Sequence, residues 1–211
     1  MKTPGTTHTE YAGFNAAAII LAGGSSTRMK SDKSLLDIQG VPLIVYIVRQ
    51  LKTCFPSVII STNHREKYEF LGVPIVRDDP PQGGPVAGML AGLMASPYEL
   101  NFIMACDIPV VYRNVIRSLF ARIDNYDVAI PSRGSELWEP FFGLYRRRVI
   151  PLLRRVMRGK KPWMRTVLDG ADVVTVDVDS GEWPKNINTQ EEYHAFLQDI
   201  ELHDPILHPR K

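Results

Sequence analysis

The 211-residue chain predicts an α/β fold, a mostly parallel sheet flanked by helices. Three observations carry that expectation. Short apolar runs of strand length alternate with segments whose apolar residues recur at helical spacing, the rhythm of βαβ units. The first run, Ala16 to Ala22, is continuous rather than alternating, as a strand buried on both faces of a parallel sheet must be. It ends at Gly23-Gly24, a pair suited to the tight turn that leaves such a strand.

The elements follow in order. Ser25 to Lys33 is polar and reads as a loop. Pro42 stands where a helix begins, and Leu43, Ile44, Ile47, Val48 and Leu51 recur over three turns, which predicts a crossover helix. Val58 to Ser61 and Val73 to Val76 read as the second and third strands, Val86 to Met94 as a helix, and Asn101 to Cys106 as the fourth strand. Right-handed crossovers would join them. Beyond Asp107 the rhythm continues with a helix near Asn114 to Ile123 and strands at Val128 to Ile130 and Phe141 to Tyr145. A helix around Pro151 to Met157, an amphipathic piece at Trp163 to Leu168 and a strand at Val173 to Val176 come next. Thr189-Gln190-Glu191-Glu192 has the capping-box form, a hydroxyl at the cap and a carboxylate three residues on, and so opens a last helix. No repeat or linker interrupts the pattern, so residues 16–201 read as a single domain between flexible ends, an extension at 1–15 and a tail at 202–211.

Composition excludes several classes. With 45% hydrophobic and 23% charged residues the chain is neither disordered nor fibrous. A net charge of +2 is too small for a nucleic-acid binder. No apolar run approaches the ~20 residues that cross a bilayer, so no membrane association is expected. The N-terminus lacks the basic start and apolar middle of a signal peptide. Cys54 and Cys106, without neighbours at metal-ligand spacing, read as reduced thiols of a cytoplasmic protein, a disulfide between them being the weaker reading.

The chemistry concentrates in loops that follow strands. Leu21-Ala22-Gly23-Gly24 leads into Arg28 and Lys33, and paired glycines at a strand's carboxyl end let backbone N–H groups cradle phosphate oxygens. After Gly24 the next glycine is Gly40, so neither GxxxxGK[ST] nor GxGxxG can be written here, which excludes a P-loop or a dinucleotide fingerprint. Read alone, the loop is also a Gly-rich turn with solvated charges. A second loop, Gln82-Gly83-Gly84-Pro85-Val86-Ala87-Gly88, would flank the same crevice, although its glycines also suit a turn and a close helix contact. Asn63 and Asp78 close the second and third strands; each can serve a ligand or bond nearby backbone.

Asp107, in Cys106-Asp107-Ile108-Pro109, puts one carboxylate directly after a buried strand, and a lone carboxylate facing a phosphate loop is chemically sufficient for Mg²⁺. Asn186-Ile187-Asn188-Thr189 can add a polar ligand, or simply end a strand and cap a helix. The basic group from Arg146 to Lys161 suits phosphates of a second substrate as well as a solvated helix face. Trp138-Glu139-Pro140 would line an acceptor pocket or form a plain loop. No histidine stands near a serine or cysteine in a triad arrangement, so nucleophilic hydrolysis has no support.

These motifs, in this order from about Ala16 to Leu197, resemble the molybdenum cofactor guanylyltransferase family: Leu21-Ala22-Gly23-Gly24 with Arg28-Met29 and Asp32-Lys33, Gly83-Gly84-Pro85 to Gly88, Cys106-Asp107-Ile108-Pro109, Glu139-Pro140 with Gly143-Leu144-Tyr145, and Asn186-Ile187-Asn188-Thr189. The resemblance implies a Rossmann-like nucleotidyltransferase fold and transfer of GMP from GTP to the terminal phosphate of molybdopterin, with release of pyrophosphate. It implies that Leu21, Ala22, Gly23 and Gly24 hold GTP through the backbone, with Gly83 and Gly84 across the crevice. Lys33 and Arg28 would meet its phosphates, Asn63 and Asp78 its nucleoside, and Asp107 both nucleotide and Mg²⁺. Glu139, Asn186 and Asn188 are the resemblance's candidates to face the acceptor, and it leaves open whether a partner protein of cofactor biosynthesis delivers that acceptor. Lys30 stands where the family commonly has Gly. Two rival expectations remain: a relative that uses CTP or a sugar-phosphate acceptor, and a non-catalytic nucleotide-binding regulatory module. Gly23-Gly24, where cytidylyl relatives tend to show Ala-Gly, favours guanine, and the presence of Lys33 and Asp107 favours turnover.

Overall fold

The computed structural model describes residues 13–23, 33–78, 83–134, 137–159, 162–179 and 181–203. Ten strands lie among them: β1 Ala17–Leu21, β2 Asp37–Ile38, β3 Val41–Pro42, β4 Ser57–Ser61, β5 Ile75–Val76, β6 Leu100–Ala105, β7 Val128–Arg133, β8 Leu137–Trp138, β9 Phe142–Arg146 and β10 Val173–Asp177. The main sheet runs in the order β10-β7-β9-β6-β1-β4-β5, with β8 attached to β7, while β2 and β3 form a separate hairpin. β5, β4, β1 and β6 are parallel neighbours, as are β7 and β10.

Six α-helices cover the sheet: α1 Leu43–Lys52, α2 Gly84–Ala95, α3 Arg113–Arg122, α4 Ile150–Met157, α5 Met164–Asp169 and α6 Gln190–His203. Side chains alternate across a strand, so the all-apolar β1 feeds two cores. Ala18 and Ile20 join Ile44 and Ile47 of α1 and Val115, Ile116 and Leu119 of α3 on one face. Ala17, Ile19 and Leu21 join Val86, Met89 and Leu93 of α2, Leu153 and Val156 of α4, and Val167 of α5 on the other.

Register places the functional edge. Leu21 pairs with Ser61 and with Ala105, and Ser61 pairs with Val76, so these four residues form one row across the sheet. Gly23, Asn63, Asp78 and Asp107 each lie two residues past that row. One edge therefore gathers residues up to 84 positions apart in the chain.

Several elements depart from expectation. Pro42 does not open the helix from within; it ends the β2–β3 hairpin and caps α1 from outside. The hairpin turn uses Gln39 and Gly40, both at positive φ, the geometry that two-residue hairpins require, with the Gly40 N–H donating to Asp37 Oδ1 at 2.7 Å. Between β4 and β5, where the sequence marks no helix, the crossover is two short 3₁₀ turns, Arg65–Lys67 and Glu69–Leu71. β9 is antiparallel to both β6 and β7, since a hydrophobic run carries no mark of its direction. α6 continues to His203, past the boundary expected at 201, while the remainder of the tail, and residues 1–12 of the N-terminal extension, lie outside the described residues. The capping box forms as read: Glu192 accepts from the Thr189 N–H, and the Glu192 N–H donates to Thr189 Oγ1. Neither Cys54 nor Cys106 is in a disulfide. No helix among the described residues is long and apolar enough to cross a membrane.

Candidate active site

Lys33 opens a 3₁₀ turn and reaches across the top of β6. Its Nζ donates to Asn188 Oδ1 at 2.7 Å and lies 3.5 Å from Asp107 Oδ2. Asn186 Nδ2 donates to the other oxygen of Asp107 at 3.3 Å, and the Ile187 N–H donates to the Asp107 carbonyl at 2.8 Å. The Asn186-Ile187-Asn188 segment is thus stitched to the turn after β6. Lys33 and Asp107 stay partly open, at 16% and 22% side-chain exposure, so both remain reachable by a ligand.

Glu139 adds a second carboxyl. Burial, reinforced by the charge of Asp107, pushes it up to about 7 from its ordinary 4.5, against the lowering effect of the Phe141 N–H that donates to it at 3.1 Å. Burial is the larger cause, so Glu139 keeps a proton to near neutral pH beside the carboxylate of Asp107. Beside Asn186 and Asn188 opens a cavity of about 740 Å³, lined also by Tyr112, Trp183, Lys185 and Phe196.

At the other end of the edge, Asp78 is 6% exposed. Its Oδ1 accepts from Ser61 Oγ at 2.6 Å and its Oδ2 from Asn63 Nδ2 at 3.3 Å. Burial raises its proton affinity, and the Ser61 bond opposes that rise. A Cβ on Gly23 would meet Asp78 Oδ2 at 3.1 Å, so this glycine is what lets the first loop approach the carboxylate. Gly84, at φ +69°, starts α2 in the left-handed region that glycine tolerates, with Gly83 as its cap.

The structure sorts the residues expected here. Lys33, Asp107, Asn186, Asn188 and Glu139 converge, and Asn63, Asp78, Gly23, Gly83 and Gly84 border the same edge. Ala22 has its N–H bonded to the Ser61 carbonyl and its carbonyl to Thr62 Oγ1, and the Leu21 carbonyl accepts from Cys106. Of the four residues expected to offer backbone groups, three are described, and Gly23 is the one of these whose backbone no described residue engages. Gly24 and Arg28 lie outside the described residues. Three residues of the basic group turn away from the site: Arg146, Arg147 and Arg148 bond the carbonyls of Tyr126, Ser96 and Asn125. Arg146 pairs with Leu100, at the opposite end of β6 from Asp107. Trp138 lies under the Arg165 guanidinium, 5.7 Å from its ring centre.

Two supporting residues escaped sequence reading. Ser61 looked like an ordinary strand end. Gln50, buried on α1, donates through Nε2 to the Pro109 carbonyl at 2.8 Å and accepts from the Val111 N–H at 2.9 Å, tethering the segment that follows Asp107. An amide within an otherwise apolar helical stripe was the available signal.

Comparison with known proteins identifies the family. Residues 18–174 match the profile of the MobA-like NTP transferase domain. The chain belongs to the MobA-like NTP transferase family. Among relatives of this transferase, the probable molybdenum cofactor guanylyltransferase of Carboxydothermus hydrogenoformans is 28% identical over 195 residues, covering 89% of this chain and 98% of the relative. The corresponding protein of Trichormus variabilis is 34% identical over 184 residues, covering 84% and 88%. The solved structure of molybdopterin-guanine dinucleotide biosynthesis protein A from Archaeoglobus fulgidus superposes with a TM-score of 0.76 at 20% identity, covering 89% of this chain and all of that one. The profile match to the MobA-like domain stops at residue 174, before Asn186 and Asn188, whereas the Carboxydothermus relative spans nearly its whole length.

Proposed function

We propose that the protein transfers GMP from GTP to the terminal phosphate of molybdopterin, forming molybdopterin guanine dinucleotide and releasing pyrophosphate. The observation that carries the reading is the junction of Lys33, Asp107, Asn186 and Asn188 above β6, between a nucleoside edge at Gly23, Asn63 and Asp78 and a 740 Å³ cavity. Relatives named molybdenum cofactor guanylyltransferase over most of the chain supply the identity of the substrates.

In this reaction an oxygen of the acceptor phosphate bonds to the α-phosphorus of GTP while the bond from that phosphorus to the bridging oxygen breaks, and pyrophosphate leaves with the electron pair. Two anions must approach each other, so positioning and charge neutralisation dominate the barrier. Lys33, held by Asn188, offers a fixed cation to the phosphates. Arg28 adds a second cation from the same loop. No protein base is required, because a phosphate monoester is already ionised near neutral pH. Asp107, with Asn186 fixing one of its oxygens and Glu139 nearby, would hold Mg²⁺. Mg²⁺, when bound, neutralises charge on the triphosphate. Asn63 and Asp78 receive the nucleoside. Cys54 and Cys106, which form no disulfide, suit work in the reducing cytoplasm.

Guanine presents N1–H and a 2-amino group beside the O6 acceptor, and a site bonded to that edge leaves buried groups unpaired when another base enters, at about 1–3 kcal/mol each. The test is incubation with each of the four NTPs, Mg²⁺ and molybdopterin, followed by pyrophosphate release. GTP should exceed CTP and ATP by at least roughly a hundredfold in kcat/KM. Preference for CTP would replace the guanylyl reading with a cytidylyl one, and release from no nucleotide would leave a binding module.

A further inference from the structure

We propose that Ser61 is a positioning residue for the nucleoside: its hydroxyl holds one oxygen of Asp78, so that the carboxylate keeps a fixed orientation and a charge with which to accept hydrogen bonds from the nucleotide. The inference rests on the reading that Asp78 contacts the nucleoside, and adds the residue through which that contact is set.

Ser61 ends β4 and pairs with Leu21 of β1 on one side and Val76 of β5 on the other, so its side chain is held by a ladder on both flanks. It is 1% exposed and Asp78 6%. An ionised carboxylate has only acceptor sites, so the 2.6 Å contact to Oδ1 has Ser61 Oγ as its donor, at the length of a charge-assisted O–H···O bond. A Cβ on Gly88 would stand 3.3 Å from Asp78 Oδ1 and 3.4 Å from Ser61 Oγ, and one on Gly23 3.1 Å from Oδ2. The serine–carboxylate pair therefore fills the space left by two glycines, between the first loop and α2.

Among the described residues the partners of Asp78 are a hydroxyl and an amide, both neutral. A carboxylate offers about four acceptor positions, and these two bonds occupy two. The remaining capacity lies at the edge where Gly23 and Asn63 end their strands. A carboxylate retained in a buried place without a cation is costly unless something uses its charge, and a nucleoside with paired donors would do so. Removing the Ser61 hydroxyl frees the carboxylate to turn and favours its protonated form, which weakens the nucleoside contact without touching the phosphates.

The experiment is a double-mutant cycle on the full chain, measuring Kd for GTP in the presence of Mg²⁺, kcat for the complete reaction, and Tm. Ser61→Ala should bind GTP about ten- to thirtyfold more weakly, the loss of one hydrogen bond to a charged group, while kcat changes less than about twofold. In an Asp78→Asn background the same substitution should alter Kd by less than about twofold, because the two residues act as one unit. Ser61→Thr, which keeps a donor, should recover most of the affinity. An equal loss in both backgrounds, or no loss in either, overturns the proposal. Loss on Asp78→Asn with none on Ser61→Ala counts against the role of Ser61 alone, whereas unchanged binding by Asp78→Asn counts against the nucleoside role of Asp78 itself. Should Ser61→Ala fail to fold, Ser61→Cys, of similar size and a weaker donor, is expected to show the same division between Kd and kcat, and its absence overturns the proposal equally.

Discussion

Lys33 and Asn188, 155 positions apart, meet at 2.7 Å, and this bond holds the ammonium beside Asp107. A lysine stem has many rotamers, so the amide oxygen selects the one that sets the ammonium beside Asp107. Lys33→Ala should lower kcat/KM for GTP by roughly 2–4 kcal/mol if the charge stabilises the transition state. Asn188→Ala should lose less, about five- to twentyfold, since it frees the lysine without removing it. Steady-state kinetics on the two variants checks both, and an unchanged kcat/KM for Lys33→Ala would leave it a surface residue.

Asp107→Asn keeps the size of the side chain and the acceptor for Asn186 but replaces a charged ligand by a neutral oxygen. The variant should unfold within a few degrees of the parent, on the order of the shift from 1 kcal/mol, and lose more than about tenfold of its Mg²⁺-dependent turnover. Thermal denaturation and a Mg²⁺ titration of the rate separate the two effects. A loss below tenfold sinks the assignment of Asp107 as the metal anchor.

Glu139 gives a pH signature in the absence of divalent cations. The folded protein keeps its proton up to about 7, whereas the unfolded chain releases it near 4.5. Across that window the folded state binds more protons, so stability falls as pH rises and levels off above about 7, the reverse of a salt-bridged carboxylate. Glu139→Gln should therefore be more stable than the parent by on the order of 1–3 kcal/mol at about pH 8 and nearly equal to it at about pH 4. Urea denaturation at several pH values measures the gap; a gap that does not narrow toward acid refutes the shift.

Gly92 lies within α2, where alanine would ordinarily favour the helix by about 1 kcal/mol. Here a Cβ would come within 2.5 Å of Ile19 Cγ2, at the point where α2 crosses β1. Gly92→Ala should accordingly destabilise by about 1–3 kcal/mol, since overpacking outweighs propensity. Pairing it with Ile19→Val should recover part of the loss, as read from urea midpoints.

The residues of the candidate site were legible because each follows a strand, where residue type alone suggests chemistry: Asp107 after β6, Asp78 after β5, Asn63 after β4 and the glycines after β1. Their mutual distances were not, because sheet order and register decide them. The reversal of β9 leaves no trace in a run that is buried whichever way it points. Arg146, Arg147 and Arg148 looked like one basic patch, yet each guanidinium bonds a backbone carbonyl, a use that linear charge density cannot show. Ser61 and Gln50 were passed over because their partners, Asp78 and the Pro109–Val111 segment, are close only in space.

Because Asn186 and Asn188 follow β10, every described strand is synthesised before the junction of Lys33, Asp107, Asn186 and Asn188 can close. A nascent chain released through Asp177 could assemble its sheet on the ribosome, domains folding as they emerge, yet still lack the amides that fix Lys33 and Asp107. The junction would then close only once Asn188 had emerged, after the scaffold that carries it has formed.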